Sequence, residues 1–369
     1  MAPTYPLFCL GNPLLDIQAT CDESMLKKYN LDANGIVLVQ KEEEAIYQGI
    51  YEDIQQGEHV LLAGGAAQNA ARGAQYVLPA DSVVYVGCVG DDKAADQLRH
   101  ACSVEGGVRT EYLVDTTEPT GRCAVVITGN ERSLVTQLAA ANKYKVEHLK
   151  SPEIWKLVEA AKVYYVGGFH LTVCPEAIEE LAKHAAATNK VFSMNLSAPF
   201  LCQFFKKQMD STEQYWDYLI GNESEALAYA ASHGINTDAV KQVTDAQASK
   251  ASVDSELQTQ ALIDIARHIA ALPKVNTKRP RVVVFTQGTG STVVVSSDSE
   301  TASTYPVRKV AAFKDSNGAG DAFAGGFLGG IVLGEDIETA VSRGQWLASL
   351  SIQELGPAYP KDKQTFVKA

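Results

Sequence analysis

Residues 315–323, with the sequence Asp-Ser-Asn-Gly-Ala-Gly-Asp-Ala-Phe, combine small residues and carboxylates where a loop is predicted to enter a helix. The apolar periodicity of residues 322–332 predicts that helix. Backbone N–H groups at a helix start can converge on an anion, and the helix dipole favours negative charge there. We expect Asp321 to be a general base beside such an anion site, as phosphoryl transfer to an alcohol requires. The alternative is an ordinary glycine-rich turn with a capping Asp. The amides of the site are predicted to be those of Gly318, Ala319 and Gly320.

The composition excludes several classes of function. The chain of 369 residues has a formal net charge of −12, which argues against broad binding of nucleic acid or anionic membranes. Its 7 cysteines show no Cys-x-x-Cys spacing and no neighbouring histidine cluster, so we expect reduced thiols and neither disulfides nor a zinc site. The first 30 residues show no secretory signal, and no segment is long enough for a membrane span. We therefore expect a cytoplasmic enzyme and leave nuclear entry open.

Short apolar runs that are typical of buried strands alternate with helical patterns such as Pro175–Ala187 and Ser255–Ala271. This alternation implies parallel crossovers, so we predict an α/β fold with a doubly wound, mostly parallel sheet flanked by helices. Ligands of such sheets bind beyond the carboxyl ends of the strands. The apolar runs are Leu7–Leu10, Val83–Val89, Val163–Val166, Val191–Met194, Tyr218–Ile220 and Val282–Thr286.

Further motifs occur in a fixed order from near residue 7 to near residue 360. Together with residues 315–323 they resemble the ribokinase (PfkB) family of carbohydrate and nucleoside kinases. Residues 11–16 and 195–200 are more similar to the members that phosphorylate adenosine than to the sugar kinases. The resemblance implies a phosphotransferase that makes AMP from adenosine and ATP in purine salvage. The motifs are Gly11-Asn12-Pro13-Leu14-Leu15-Asp16, Gly64-Gly65-Ala66-Ala67-Gln68-Asn69, Pro119-Thr120-Gly121, Leu138-Ala139-Ala140-Ala141-Asn142, Asn195-Leu196-Ser197-Ala198-Pro199-Phe200 and Gly221-Asn222-Glu223-Ser224-Glu225.

Two parts of the chain break the α/β pattern, with short β-type runs at Ile36–Val39 and Val60–Ala63 and a hairpin pattern across residues 122–136. We expect them to form a small β-sheet inserted in the α/β domain, and in the family this insert is a lid over the substrate. Residues 244–257 are small and polar and are expected to form a surface insertion. The predicted lid domain covers 17–63 and 114–141, and the predicted large domain, which binds nucleotide and substrate, covers 1–16, 64–113 and 142–369.

The resemblance also assigns residues to the phosphate donor. Asn222 and Glu225 match a motif that, in the family, positions Mg²⁺ through water beside the ATP phosphates; simple helix capping by Asn222 is the alternative. Arg132 in the hairpin matches an arginine that faces the transferring phosphate when the lid closes, although a hairpin Arg is more often a solvated charge. A monovalent cation such as K⁺ is a further implied cofactor. Nucleotide contacts are expected from Asn195, Asn222, Glu225, Thr286, Gly288 and Asn317.

Asp16 is the main candidate for recognition of the acceptor. A carboxylate can accept hydrogen bonds from both hydroxyls of a ribose 2′,3′-diol, and a site built for hydroxyls strongly rejects a deoxy sugar. By resemblance, Asn12, Gly65 and Asn69 complete the contacts to ribose and base. Further contacts to the nucleoside are expected from Cys123, Leu138, His170 and Phe200.

His170 departs from the family pattern, which often has a second Phe here that stacks on adenine. We expect the imidazole to stack instead; the alternative is a structural histidine that points away from the site. Ala66 and Ala67 replace a pair of hydroxyl residues often seen after the Gly-Gly pair. Two other functions stay open, a kinase for another nucleoside or a sugar and a catalytically silent nucleoside-binding regulator. The intact Asp321 loop argues against the second. A monomer without nucleic-acid or membrane partners is expected.

Overall fold

The computed structural model describes residues 4–33, 35–40, 43–129, 131–310 and 312–368. Its strands follow the apolar runs of the sequence, because the β-branched and aromatic residues there favour a buried pleated backbone. In chain order the strands are β1 (Leu7–Leu10), β2 (Leu14–Thr20), β3 (Ile36–Leu38), β4 (Val60–Gly64), β5 (Val83–Gly90), β6 (Arg109–Asp115), β7 (Arg122–Thr128), β8 (Glu131–Gln137), β9 (Val163–Gly167), β10 (Val191–Asn195), β11 (Tyr218–Asn222), β12 (Val282–Gln287), β13 (Gly290–Ser296) and β14 (Ser303–Tyr305).

Several helices begin at a capping side chain; Asp254 and Asp336, for example, accept hydrogen bonds from backbone N–H groups of the first turn. Short 3₁₀ helices cover Ala139–Lys143 and Gly168–Thr172, and a π-helical turn covers His100–Glu105. The α-helices are α1 (Glu23–Tyr29), α2 (Glu44–Gln56), α3 (Ala66–Val77), α4 (Lys93–Arg99), α5 (Val146–Leu149), α6 (Pro152–Ala160), α7 (Pro175–Thr188), α8 (Pro199–Phe204), α9 (Lys206–Glu213), α10 (Glu223–His233), α11 (Asp238–Ala248), α12 (Ser255–Ala270), α13 (Ala319–Leu333) and α14 (Ile337–Ser351).

Within the described residues, nine strands form the large sheet in the order β14-β13-β12-β11-β10-β9-β1-β5-β6. The strands from β12 to β6 run parallel, and β13 and β14 add an antiparallel edge. From β1 the chain continues to β5 and β6 on one side and later to β9 and β10 on the other. The order therefore reverses at β1, and the carboxyl ends of the parallel strands meet at one edge beside this switch point.

Helices cover both faces of the large sheet. One face packs on α3, α13 and α14, with Ala70 and Phe327 in its core, and the other packs on α7, α10 and α12, with Leu181 and Leu262 in its core. Strands between two helical layers are buried on both faces, and β5 is buried at every position. The α/β fold predicted from the sequence is confirmed.

A second, small sheet has the order β3-β8-β7-β2-β4. The predicted hairpin forms its centre, because β7 and β8 pair antiparallel from Arg122 opposite Gln137 to Thr128 opposite Glu131. Asn130 of the predicted turn lies outside the described residues. Domain borders expected at 17, 64 and 114 fall inside strands β2, β4 and β6, so the extents of the two domains stay predictions.

Residues 244–248 of the expected surface insertion belong to helix α11, and the loop before α12 is correspondingly short. All 7 cysteines are unpaired thiols. In the part of the chain that the structure describes, no helix has the length and apolarity needed to cross a membrane.

Gln68 in α3 braces the Gly64-Gly65 segment from inside the core. Its fully buried side chain donates from Nε2 to the Gly64 carbonyl at 2.9 Å and accepts from the Tyr112 hydroxyl at Oε1. Gly65 has a φ of 89°, and a Cβ there would lie 2.2 Å from the Asn12 carbonyl oxygen. Only glycine therefore lets this segment approach the loop after β1.

Gln68→Leu should lower the free energy of unfolding by about 2–3 kcal/mol, because it removes the side-chain donor to the buried Gly64 carbonyl and the acceptor of the buried Tyr112 hydroxyl. Urea unfolding would measure the loss. Tyr112→Phe alone should cost about 1 kcal/mol. The double variant should lose less than the sum of the single variants, because the two side chains share one hydrogen bond. Fully additive losses would contradict the proposed brace.

Candidate active site

A cavity of about 430 Å³ lies between the carboxyl edge of the large sheet and the small sheet. This volume falls in the range of small-molecule sites. Most residues assigned from the sequence line it: Asn12, Asp16, Gly65, Asn69, Cys123, Arg132, Leu138, Asn222, Glu225, Asn317, Gly318, Ala319, Gly320 and Asp321.

The loop before α13 leads into a helix start, which is where the sequence predicted an anion site. Gly318 caps the helix with a φ of 76°, and a Cβ there would lie 2.6 Å from Pro357 Cβ, so the position requires glycine. The Ala319 N–H donates to the Ser316 carbonyl at 3.1 Å, which engages that amide in a turn. The helix start as a whole still presents positive potential to the cavity, where an anion would be favoured.

Asp321 lies in the first turn of α13 and lines the cavity. Its Oδ2 accepts a hydrogen bond from Asn69 Nδ2 at 2.9 Å. Burial raises the pKa of the Asp321 carboxyl to about 7, against a partial lowering by the bond from Asn69. A carboxyl that titrates near neutrality can take a proton from an alcohol and release it again, so Asp321 suits general-base chemistry.

Asp16, in β2, brings a second buried carboxyl to the cavity. Burial first, and then the charge of Asp321, raises the pKa of Asp16 to about 8, although Arg72 opposes the shift. Burial leaves the ionised form poorly solvated, and hydroxyl groups of a ligand would supply hydrogen bonds in place of solvent. The arrangement therefore favours a ligand that carries hydroxyl groups.

Asn222 and Glu225 form a reciprocal cap at the start of α10. Asn222 Oδ1 accepts from Glu225 N at 2.9 Å, and Glu225 Oε2 accepts from Asn222 N at 2.9 Å. The structure therefore shows helix capping, which was the alternative prediction for Asn222. Both residues also line the cavity. Burial raises the pKa of Glu225 to about 7; the Asn222 N–H lowers it, while Glu223 and Asp321 raise it further. A cation at this place would relieve the accumulated negative charge.

Asp315 received no role from the sequence, although it heads the 315–323 stretch. Its carboxylate is fully buried and accepts hydrogen bonds from four separate segments. Burial opposes ionisation, but these donors hold the pKa of Asp315 below its usual value. The residue therefore ties strands β2 and β8 of the small sheet to the anion loop. The donors are Gln18 Nε2 at 3.0 Å, Arg132 Nε at 2.8 Å, Asn317 N at 2.9 Å and Gly356 N at 2.9 Å.

His170 does not lie where the family pattern suggested. Its side chain is fully buried outside the cavity lining, with Nδ1 at 2.7 Å from Asn12 Oδ1. Consecutive side chains of the 3₁₀ turn Gly168–Thr172 point in different directions, and the preceding residue, Phe169, is the one that lines the cavity. We correct the expected position accordingly: the ring available to a bound base is that of Phe169.

The remaining expected residues do not line the cavity. Asn195 ends β10, where its Oδ1 accepts from Ser197 N at 2.8 Å, and Ser197 itself reaches the cavity. The Phe200 ring packs behind Phe169, with 6.2 Å between ring centroids. The other two, Thr286 and Gly288, lie at the end of β12 and in the turn that follows it.

Cys123 lines the cavity but is not a nucleophile candidate. Burial raises the pKa of its thiol far above the usual value, and its Sγ accepts a hydrogen bond from Thr136 Oγ1 at 3.2 Å. Apolar side chains of β3 and β8, among them Leu38 and Leu134, form the adjacent wall. The sequence predicted a short β-type run at Ile36–Val39, but such a run does not distinguish core from cavity.

Comparisons with known proteins identify similar chains and structures. The family model described as pfkB family carbohydrate kinase matches residues 32–364. The adenosine kinase of Schizosaccharomyces pombe is 46% identical over 367 residues, which cover 98% of each chain. The structure of Anopheles gambiae adenosine kinase in complex with P1,P4-di(adenosine-5) tetraphosphate is 37% identical, with a TM-score of 0.86 over 96% of this chain and 97% of that chain. The structure of Schistosoma mansoni adenosine kinase in complex with 2-fluoroadenosine is 33% identical, with a TM-score of 0.87 over 99% of this chain and 100% of that one.

Asp321→Asn should raise the free energy of unfolding at pH 8 by on the order of 1 kcal/mol. The folded-state pKa of about 7 exceeds the ordinary value of 3.8. The unfolded chain therefore ionises at lower pH, and the folded state bears the cost of ionising a buried group. The gain should be full above pH 7 and shrink as the pH falls towards 4, which urea unfolding at several pH values would measure. Asp336→Asn is the control, because the pKa of this exposed cap is lowered. A pH-independent effect of Asp321→Asn would contradict the raised pKa.

Proposed function

The chain belongs to the pfkB family of carbohydrate kinases, and we propose that it transfers the terminal phosphoryl group of ATP to the 5′-hydroxyl of adenosine, making AMP. One observation carries the proposal: the same cavity is lined by the helix start at Gly318–Gly320, by the Asp321 carboxyl and by the Asp16 carboxyl, which can accept hydrogen bonds from hydroxyl groups. The relatives support adenosine as the acceptor, because the similar yeast protein is named adenosine kinase and the similar trematode structure contains 2-fluoroadenosine.

Asp16 and its neighbours recognise the nucleoside in this proposal. The Asp16 carboxylate accepts hydrogen bonds from the ribose hydroxyls, and Asn12 and Asn69 supply amide groups beside it. Phe169 offers a ring to the base, and the apolar wall from β3 and β8 excludes water around it. A sugar without a base would leave that wall uncovered, which favours a nucleoside over ribose alone.

Asp321 acts as the general base. It takes the proton of the 5′-hydroxyl as the oxygen attacks the phosphorus atom, while ADP leaves with the former bridging oxygen. The helix start at Gly318–Gly320 stabilises the negative charge of the transferring phosphoryl group. Arg132 also lines the cavity, and we propose that its guanidinium adds positive charge there. Most of the acceleration comes from this positioning and charge neutralisation.

The residues at the start of α10 fit Mg²⁺ held through water. Asn222 and Glu225 line the cavity, and the pKa of Glu225, raised to about 7, indicates a carboxylate that a cation would stabilise. Mg²⁺ keeps several water ligands and takes others from nucleotide phosphates, which suits side chains already engaged in a cap. The ion would neutralise phosphate charge when ATP is bound. A monovalent cation stays a prediction from the family resemblance.

The partners we propose are therefore adenosine and ATP, with the reaction located in the cytoplasm and the chain acting as a monomer. The alternative acceptor is another nucleoside or a sugar. A coupled assay with ATP and adenosine, inosine, guanosine, ribose or fructose decides between them. A kcat/KM highest for adenosine supports the proposal, and a sugar as the best substrate would overturn it. No turnover with any of them would favour a silent nucleoside-binding protein.

Asp321→Asn should reduce turnover about 10²–10⁴-fold, because the amide cannot accept the hydroxyl proton. Adenosine affinity should not fall, since Asn keeps the size and a hydrogen-bonding oxygen of Asp and removes a charge that opposes ionisation of Asp16. Calorimetry and a steady-state assay on the same preparation would separate the two effects. Asp336→Asn again serves as the control and should keep full turnover. Near-normal turnover in Asp321→Asn would remove this residue from the catalytic role.

Arg132→Ala should lower kcat about 10–10³-fold, because the transferring phosphoryl group loses a nearby positive charge. The adenosine dissociation constant should change less than about threefold if the charge acts only on the phosphoryl group. Arg109→Ala is a matched control, since Arg109 is partly exposed on β6 and pairs with Glu111. If Arg132→Ala weakens adenosine binding and leaves kcat unchanged, Arg132 serves the nucleoside and not the phosphate.

A further inference from the structure

His170 and Asn12 form a buried pair directly behind the cavity wall. His170 Nδ1 lies 2.7 Å from Asn12 Oδ1, and Asn12 Nδ2 donates to the Phe169 carbonyl at 3.2 Å. Both residues are buried, but Asn12 reaches the cavity while His170 does not. A histidine that was expected to contact the ligand instead contacts a residue that lines the cavity.

The Phe169 carbonyl decides how the Asn12 amide is oriented. A carbonyl oxygen can only accept, so the amide nitrogen of Asn12 must face it. The amide oxygen then faces His170, and the ring nitrogen opposite must carry a proton. These three groups are consistent in one arrangement, in which neutral His170 is the Nδ1–H tautomer and donates to Asn12 Oδ1. The reversed amide would place two acceptors, Asn12 Oδ1 and the Phe169 carbonyl, 3.2 Å apart.

The surroundings keep His170 neutral. The ring is fully buried, the edge-on ring of Tyr144 lies 5.1 Å away, and burial lowers the pKa of His170 to about 3. The ring therefore remains a fixed donor throughout the neutral pH range. Its Nε2 has no hydrogen-bond partner among the described residues, which is a cost that the bond to Asn12 partly offsets.

We propose that His170 is a positioning and specificity-determining residue that locks the Asn12 amide so that a nitrogen-bound hydrogen is offered to the substrate. This rests on the proposed function, because the substrate is taken to be a ribonucleoside. Asn12 Nδ2 uses one hydrogen on Phe169 and keeps a second. Asp16 in the same cavity is an acceptor. A ribose hydroxyl donates to Asp16 and accepts from Asn12, so a sugar that lacks this hydroxyl loses both bonds.

Replacement of His170 tests the lock in the full-length enzyme. His170→Phe keeps the ring but removes the donor, so the Asn12 amide keeps its bond to the Phe169 carbonyl and loses its second anchor. We expect adenosine to bind about 10-fold more weakly. Of 2′-deoxyadenosine and 3′-deoxyadenosine, the one that wild-type enzyme binds more weakly is taken to lack the hydroxyl that contacts Asn12 and Asp16. Its affinity should change less than about threefold in His170→Phe, because those hydrogen bonds are already absent. The amide nitrogen of Asn can replace Nδ1 as the donor, so His170→Asn should restore the preference for adenosine over that deoxynucleoside. In both variants kcat should stay within about threefold of the wild-type value.

His148→Phe is the matched control, since this half-buried histidine also lies edge-on to Tyr144 but does not touch Asn12. It should leave every affinity unchanged. An equal loss of affinity for adenosine and both deoxynucleosides in His170→Phe would show a packing role only and overturn the proposal. The proposal also fails if His170→Asn binds the three nucleosides as His170→Phe does.

The imidazole tautomer gives a readout without substrate. The ¹⁵N spectrum of the ligand-free enzyme at pH 7 should show His170 as the neutral Nδ1–H form, and an Nε2–H form would overturn the proposal. This readout separates two failures. If wild-type enzyme does not phosphorylate or bind adenosine, the proposed function fails, while the tautomer still decides whether His170 holds Asn12.

Discussion

The buried carboxylate of Asp315 is the interaction on which the geometry of the site depends. A buried charge is tolerated only when donors surround it, and Asp315 takes its donors from β2, β8, the anion loop and the segment at Gly356. Gln18 and Asp16 are two residues apart in β2 and so share a face of the strand. The bond that holds Gln18 therefore also sets where Asp16 enters the cavity relative to Asp321. Removal of the Gln18 donor would leave the charge less compensated and the position of Asp16 less firmly fixed.

The buried carboxyls that line the cavity lower the stability of the folded protein. Asp16, Asp321 and Glu225 all have raised pKa values, mainly because each is buried. At neutral pH their ionised forms are less stable than they would be in water, and ligand hydroxyls or a cation would replace the missing partners. Perturbed carboxyls of this kind cluster at functional sites because binding, and not folding, satisfies them. Asp315, whose pKa is lowered, is the structural counterpart within the same stretch of chain.

The sequence predicted those features that local residue types determine. The positive φ of Gly318 and the helix start after it are local, so the place of Asp321 could be predicted from residues 315–323 alone. Apolar runs likewise located the strands of the large sheet. Long-range side-chain partners could not be predicted in this way: Gln18 lies 297 positions from Asp315, and Asn12 lies 158 from His170. The family pattern predicted a stacking ring at position 170, but the imidazole of His170 forms a hydrogen bond that a Phe could not form, and it lies outside the cavity lining.

In the proposed mechanism, Asp16 and Asp321 would also couple the binding of the nucleoside to the chemistry. The charge of Asp321 raises the pKa of Asp16, and because the interaction between two titrating groups is mutual, an ionised Asp16 must make Asp321 a stronger base. Ribose hydroxyls that donate to Asp16 stabilise its ionised form. A bound ribonucleoside would therefore raise the proton affinity of Asp321 at the moment when its 5′-hydroxyl is in place. A deoxynucleoside would leave Asp16 protonated more often and Asp321 correspondingly weaker, so the hydroxyls that bind the substrate also prepare the base.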